Sequence, residues 1–146
     1  MRALGIDLGT KRIGVALANS EGTVATPFEV VARSGDRARD HRAIAVLAEE
    51  TGAVALVVGL PLSLDGSVGA AAASAQAEAA ELAEATGLPV ELWDERLTTV
   101  SADRDLMALE MGARARRRVV DKVAASVMLQ AWLDHRRRAP APEDER

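Results

Sequence analysis

Residues 53–60 form an almost unbroken apolar run in which Val54, Leu56, Val57 and Val58 leave no polar face. A segment so short and so apolar fits a central strand of a sheet covered by helices on both sides. Residues 36–51 precede it with Ile44, Leu47 and Ala48 at helical spacing and Gly52 where a C-terminal cap belongs. Residues 68–86 follow as an Ala- and Glu-rich helical stretch closed by Gly87, and 89–93 form a further strand. Strand–helix–strand units of this kind require right-handed parallel crossovers. Ahead of them, 2–8 and 12–19 read as paired strands joined by the turn Gly9-Thr10-Lys11. Residues 23–33 make a third extended stretch, which Pro27 assigns to a sheet edge. The order predicts an α/β fold with a mixed five-stranded sheet: a three-strand antiparallel meander plus parallel strands, with helices on both faces. Helices are also predicted at 99–111 and 119–138, with a mobile basic loop at 112–118 between them. One domain is expected over 1–138, followed by a disordered tail at 139–146 that contains Pro140 and Pro142.

Composition limits the chemistry. The 146 residues are 49% hydrophobic but 2% aromatic, so the core must be built from Ala, Val, Leu and Ile. No apolar run reaches the ~18 residues of a membrane span, and Arg2 followed by a strand interrupted at Asp7 does not resemble a signal peptide. The absence of Cys excludes disulfides and thiolate metal sites, and suits a cytoplasmic location. With His41 and His135 the only histidines, any metal is expected to be a hard cation bound by oxygens. The net charge of −4 argues against nucleic-acid binding by overall charge. Arg114, Arg116, Arg117, Arg118 and Lys122 nevertheless crowd together and can make a local phosphate-binding surface. Arg136, Arg137 and Arg138 read as solvated charges favoured by a helix C-terminus.

In such sheets chemistry collects at the carboxyl ends of the parallel strands. That rule selects Asp7, the loop after Gly59, and Asp94-Glu95. Asp7 interrupts an apolar strand between Gly5 and Gly9. A buried carboxylate needs cations or donors to offset its lost hydration, and glycines let a ligand or backbone approach. Asp121 opens the last predicted helix and stacks over Ala125, Met128 and Trp132, so it borders the buried face. Each acid has a plain alternative: a turn cap for Asp7, an ion pair with Arg96 or Arg118 for Glu95, a helix cap for Asp121. Their shared explanation is a pair of divalent cations ~4 Å apart bridging a scissile phosphate, a role that suits Mg2+.

Gly5-Ile6-Asp7-Leu8-Gly9-Thr10-Lys11-Arg12-Ile13-Gly14-Val15-Ala16 resembles the opening motif of the YqgF (RuvX) family, Holliday-junction-resolvase-like nucleases with an RNase H-like fold. Val58-Gly59-Leu60-Pro61-Leu62 with Asp65-Gly66 is similar to the family's second motif, Asp94-Glu95-Arg96-Leu97-Thr98-Thr99 to its third, and Val120-Asp121-Lys122-Val123-Ala124-Ala125 with Leu129-Gln130 to its fourth. The resemblance implies a nuclease dependent on Mg2+ or Mn2+, with Asp7, Glu95 and Asp121 as its catalytic and metal-binding acids. It implies a role in maturing the 5′ end of pre-16S rRNA on a ribosomal subunit precursor, with branched DNA such as a Holliday junction as the alternative. A non-catalytic RNA-binding assembly module is the third possibility, and an actin-like ATPase or sugar kinase is disfavoured by chain length. Nucleic-acid contacts fall to Lys11, Arg12, Arg96, Arg116, Arg117, Arg118 and Lys122. Arg96 can alternatively orient Glu95, while Trp93 and Trp132 are assigned to the core. No membrane partner is expected, and the protein is expected to be a monomer or homodimer. One position departs from the family: its first motif usually ends in Asp, and here Asn19 stands near that place.

Overall fold

The structure, a computed structural model, describes residues 2–98 and 113–138, with the backbone alone for 113–119 and 138. The strands are β1 (Ala3–Leu8), β2 (Arg12–Ala18), β3 (Ala25–Ala32), β4 (Ala55–Leu60) and β5 (Val90–Asp94). The helices are α1 (Arg37–Thr51), α2 (Ala70–Thr86) and α3 (Ala113–Arg138), and a 3-10 turn spans Glu95–Leu97. The five strands form one sheet in the order β3-β2-β1-β4-β5. β1, β2 and β3 pair antiparallel, while β4 runs parallel to β1 and β5 parallel to β4, as the segment order predicts. Pro27 lies on β3, the edge strand, opposite Ala16 and beside a register irregularity, the kind of place where proline is tolerated in a sheet. The helix expected at 99–111 and the tail at 139–146 lie outside the described residues.

Alternation along the strands divides the core in two. Leu4, Ile6, Ile13, Val15, Leu56 and Val58 face α1 and α2, meeting Ile44, Ala48, Ala79 and Leu82. Ala3, Ala16, Ala18, Val57 and Trp93 face α3, where Ala125, Met128, Leu129, Trp132 and Leu133 cover them. Both tryptophans are therefore core residues. α1 starts where Asp36 accepts from the N–H groups of Ala38 and Arg39, and ends at Gly52 in the left-handed conformation, φ 71°.

Two corrections concern α3. Its backbone is helical from Ala113, so 113–118 is not a loop. Ala and Arg are strong helix formers and nothing after Gly112 breaks the pattern, which outweighs an unfavourable charge–dipole term of ~0.3–1 kcal/mol. Asp121 consequently lies about two turns inside the helix instead of at its start. The buried seam runs through Ala124, Ala125, Met128, Leu129, Trp132 and Leu133, with Val123 and Val127 on its flank.

α3 lies unusually near the sheet because the strand face beneath it is built from small residues. A Cβ on Gly5 would sit 2.8 Å from the Cβ of Leu129, and one on Gly14 only 2.2 Å from the main-chain oxygen of Asp121. No helix among the described residues is long and apolar enough to cross a membrane. Gly14→Ala should lower the unfolding free energy by about 1–3 kcal/mol, since a helix backbone cannot rotate aside as a side chain can. An unchanged denaturation midpoint would refute this contact.

Candidate active site

Asp7 is partly exposed near the carboxyl end of β1, on the α3 side by strand alternation. Its neighbours across the sheet are both glycines. Gly14 is its register partner on β2, and the pairing of Ile6 with Val58 puts Gly59 of β4 on the other flank. Each missing side chain is replaced by part of another acid. The backbone of Asp121 occupies the space over Gly14, and the Glu95 side chain that over Gly59, where a Cβ would meet Oε1 at 2.6 Å. Adjacent strands lie ~4.8 Å apart, so a carboxylate-bearing residue stands on either side of Asp7 within about one strand spacing. Three elements distant in sequence thus meet at one sheet end: β1, the 3-10 turn after β5, and α3.

The three are not equivalent. Asp7 and Glu95 line one cleft of about 500 Å3 that continues over Gly9, Arg33 and Glu78. Asp121 does not line it. Its Oδ2 accepts from Arg12 Nε at 2.6 Å, in a pair about a quarter exposed. Among the described residues no three acids or histidines stand close enough together to form a ready-made metal cluster.

The predicted basic residues divide similarly. Lys11 is exposed on the β1–β2 turn, whereas the Arg12 guanidinium is engaged by Asp121. Arg96 grips Asp94 rather than Glu95, with Nη2 at 2.7 Å from Oδ2, and its Nη1 donates to the Leu64 carbonyl at 3.2 Å. Arg96 therefore ties the loop after β4 to the turn carrying Glu95. The hydrogen bond with Arg96 holds the Asp94 carboxyl below its usual range. Asp65 is a turn former: its Oδ1 accepts from the Ser67 N–H at 2.9 Å, and Gly66 beside it has φ 87°. Lys122 is half-buried beside Asp121 on α3. Arg116, Arg117 and Arg118 fall in the first turns of α3, their side chains outside the described set.

Asn19 sits past the far end of β2, which pairs Leu17 with Leu4, so it is remote from Asp7. Its Oδ1 accepts from the N–H groups of Thr23 and Val24 at 2.8 and 3.0 Å, which makes it a cap of the β2–β3 turn.

Sequence reasoning overlooked a second charged group in the cleft. Arg33 donates through Nη1 and Nη2 to the two oxygens of Glu78 at 2.6 and 3.0 Å, and His41 Nε2 is 2.7 Å from Glu78 Oε2. Glu78 and His41 are buried. The signal was present: Glu78 lies among Ala75, Ala79 and Leu82 on the apolar face of α2, where an acid requires a partner. Burial alone would raise the Glu78 pKa, but the hydrogen bonds from Arg33 and His41 outweigh it and hold the carboxyl below its ordinary value.

A five-stranded mixed sheet in this strand order, with helices on both faces, is the RNase H-like fold. Two solved structures of Thermus thermophilus RuvC, one in complex with a Holliday junction substrate, match this fold. Their TM-scores are 0.57 and 0.58 at 17% identity, with 94% of this chain and 96% of theirs covered. The sequence profile of the family described as RuvX, Holliday junction resolvase, matches residues 1–135. Relatives named "Putative pre-16S rRNA nuclease" are 49% identical in Leifsonia xyli subsp. xyli, covering 95% of this chain and 89% of the relative. Another, from an Anaeromyxobacter strain, is 51% identical over 93% of this chain and 98% of its own length. The chain belongs to the RuvX family, and it is a nuclease of that family.

A carboxyl whose pKa is depressed by folding contributes stability above its unfolded pKa and loses it as pH falls through the folded value. For Glu78, with an ordinary value of 4.5, the loss should occur below about pH 4.5. Glu78→Gln should be less stable at pH 7 and show a shallower acid decline in denaturant titrations. An equally steep decline would assign it to other carboxylates.

Proposed function

We propose that this protein hydrolyses phosphodiester bonds of pre-16S rRNA at its 5′ end, using divalent cations held by Asp7, Glu95 and Asp121. The observation that carries the proposal is the placement of Glu95 and Asp121 over the two glycines that flank Asp7. The donors are all carboxylate oxygens and the flanks of Asp7 carry no Cβ, a set suited to Mg2+ or Mn2+ and unsuited to soft metals. Bound there, such ions would supply an activated water and neutralise charge developing on the scissile phosphate and leaving oxygen. Asp7 from the end of β1 and Glu95 from the turn after β5 both line the cleft, and Arg12 keeps the charge of Asp121 balanced until another cation competes for it. Lys11 on the turn and Arg116, Arg117 and Arg118 at the start of α3 would hold flanking phosphates, with Lys122 beside them. Arg96 serves by fixing the Glu95 turn, a positional role drawn from its bonds to Asp94 and Leu64. The single sheet shared by all described strands supports one domain over 1–138.

Branched DNA is the second reading, favoured by the family's description as a Holliday junction resolvase. A cleavage panel with Mg2+ or Mn2+ separates the two: a 16S precursor, single strands and a four-way junction. The precursor should be cut fastest; faster cutting of the junction would transfer the assignment to branched DNA. Asp7→Asn should reduce cleavage by about a hundredfold or more, corresponding to loss of ~3 kcal/mol of transition-state stabilisation, with the fold retained. Wild-type cleavage by this variant would remove Asp7 from the site. Replacing Arg116, Arg117 and Arg118 together with Ala should weaken RNA binding and flatten the slope of log K against log salt by about 2. An unchanged slope would return these residues to the solvated surface.

A further inference from the structure

Arg33 is only 17% exposed, and its partner Glu78 5%, which is an unusual place to keep a charge pair. Removing both ions from water largely cancels their attraction, and matched uncharged replacements of such pairs are often neutral or stabilising. What the pair provides is direction. A guanidinium bound through two nitrogens to one carboxylate has a fixed plane. His41 fixes the carboxylate in turn, 2.7 Å from Oε2.

The third nitrogen of that plane, Nε, points at the turn after Asp7. It donates to the Gly9 carbonyl at 3.0 Å, while the backbone N–H of Arg33 donates to the Lys11 carbonyl at 2.9 Å. The same turn is closed from within, since Gly9 N–H donates to the Asp7 carbonyl and a Cβ on Gly9 would lie 2.4 Å from the Arg12 oxygen. Two carbonyls of the 7–12 segment are therefore held by one residue just past β3, itself locked by His41 of α1 and Glu78 of α2. That segment carries Asp7, Lys11 and Arg12.

We propose that Arg33, clamped by Glu78 and His41, is a positioning residue of the nuclease reaction that fixes the Gly9 carbonyl and thereby the placement of Asp7 and Lys11. The inference rests on the reading of Asp7 as catalytic. Lys cannot substitute, because one ammonium on a flexible stem does not meet both Glu78 oxygens and the Gly9 carbonyl in a plane.

The test compares wild type, the double variant Arg33→Met with Glu78→Gln, Arg33→Lys, and Asp7→Asn on the same RNA. The double variant removes both charges, and the amide oxygen introduced at position 78 can still accept from His41. It should melt within a few degrees of wild type, bind RNA with KM within about twofold, and lose about 10- to 100-fold in kcat, as misplacement of a reacting group does. Amide hydrogen exchange across 7–12 should accelerate in both Arg33 variants while that of β4 does not change. Arg33→Lys, which keeps the charge and so supports folding even if the double variant does not, should show the same fall in kcat. Wild-type kcat in Arg33→Lys, or a loss expressed wholly in KM, overturns the positioning role while Asp7→Asn remains inactive. Full activity in Asp7→Asn overturns the underlying site instead.

Discussion

The close seating of α3 on β1 and β2 is the contact on which the rest of the arrangement depends. It is possible because Gly5 and Gly14 present bare backbone to the helix, so Leu129 and the main chain of Asp121 occupy space that any side chain would deny. Interiors are packed at crystalline density, so a single added methyl on that face would move the helix as a body. The contact brings Asp121 beside Gly14, and Gly14 is the register partner of Asp7. Packing and chemistry are thus set by one pair of glycines. Gly59 repeats the arrangement on the other flank with Glu95.

Charge is distributed to suit this crowding. Carboxylates drawn together repel unless cations intervene. The fold meets that requirement with arginines: Arg12 on Asp121, Arg96 on Asp94, and Arg33 on Glu78. The three pairs differ in what they anchor. Arg12 joins β2 to α3, Arg96 joins the loop after β4 to the turn after β5, and Arg33 joins the segment after β3 to α2 and to the turn after β1. Together they brace three loops around the cleft, which an aromatic-poor core could not do by side-chain bulk.

Much of this was legible in the sequence, for reasons that can be named. The apolar run of β4, the edge proline of β3 and the left-handed glycine caps at Gly52 and Gly87 are local signals, and each matches the observed element. The start of α3 differs from the expected mobile basic loop because arginine favours helix and nothing after Gly112 interrupts it. The motif assigns Arg96 to a phosphate or, alternatively, to Glu95, its chain neighbour. In the folded chain the guanidinium reaches Asp94, whose oxygens lie in its plane at the strand end. Asn19 looked like a departure from the acidic pattern, yet the strand pairing removes it from the site and gives it a turn to cap.

By itself the sequence determined the element order, the mixed sheet and the family, and singled out three acids as candidates, since these follow from periodicity, turn residues and motif. Only the tertiary structure decided that Glu95 and Asp121 flank Asp7 over two glycines, that Arg12 occupies Asp121, and that Arg33 reaches Gly9. The last two relations join residues 109 and 24 positions apart. They depend on register and on how closely a helix can approach a sheet, quantities that no local pattern carries.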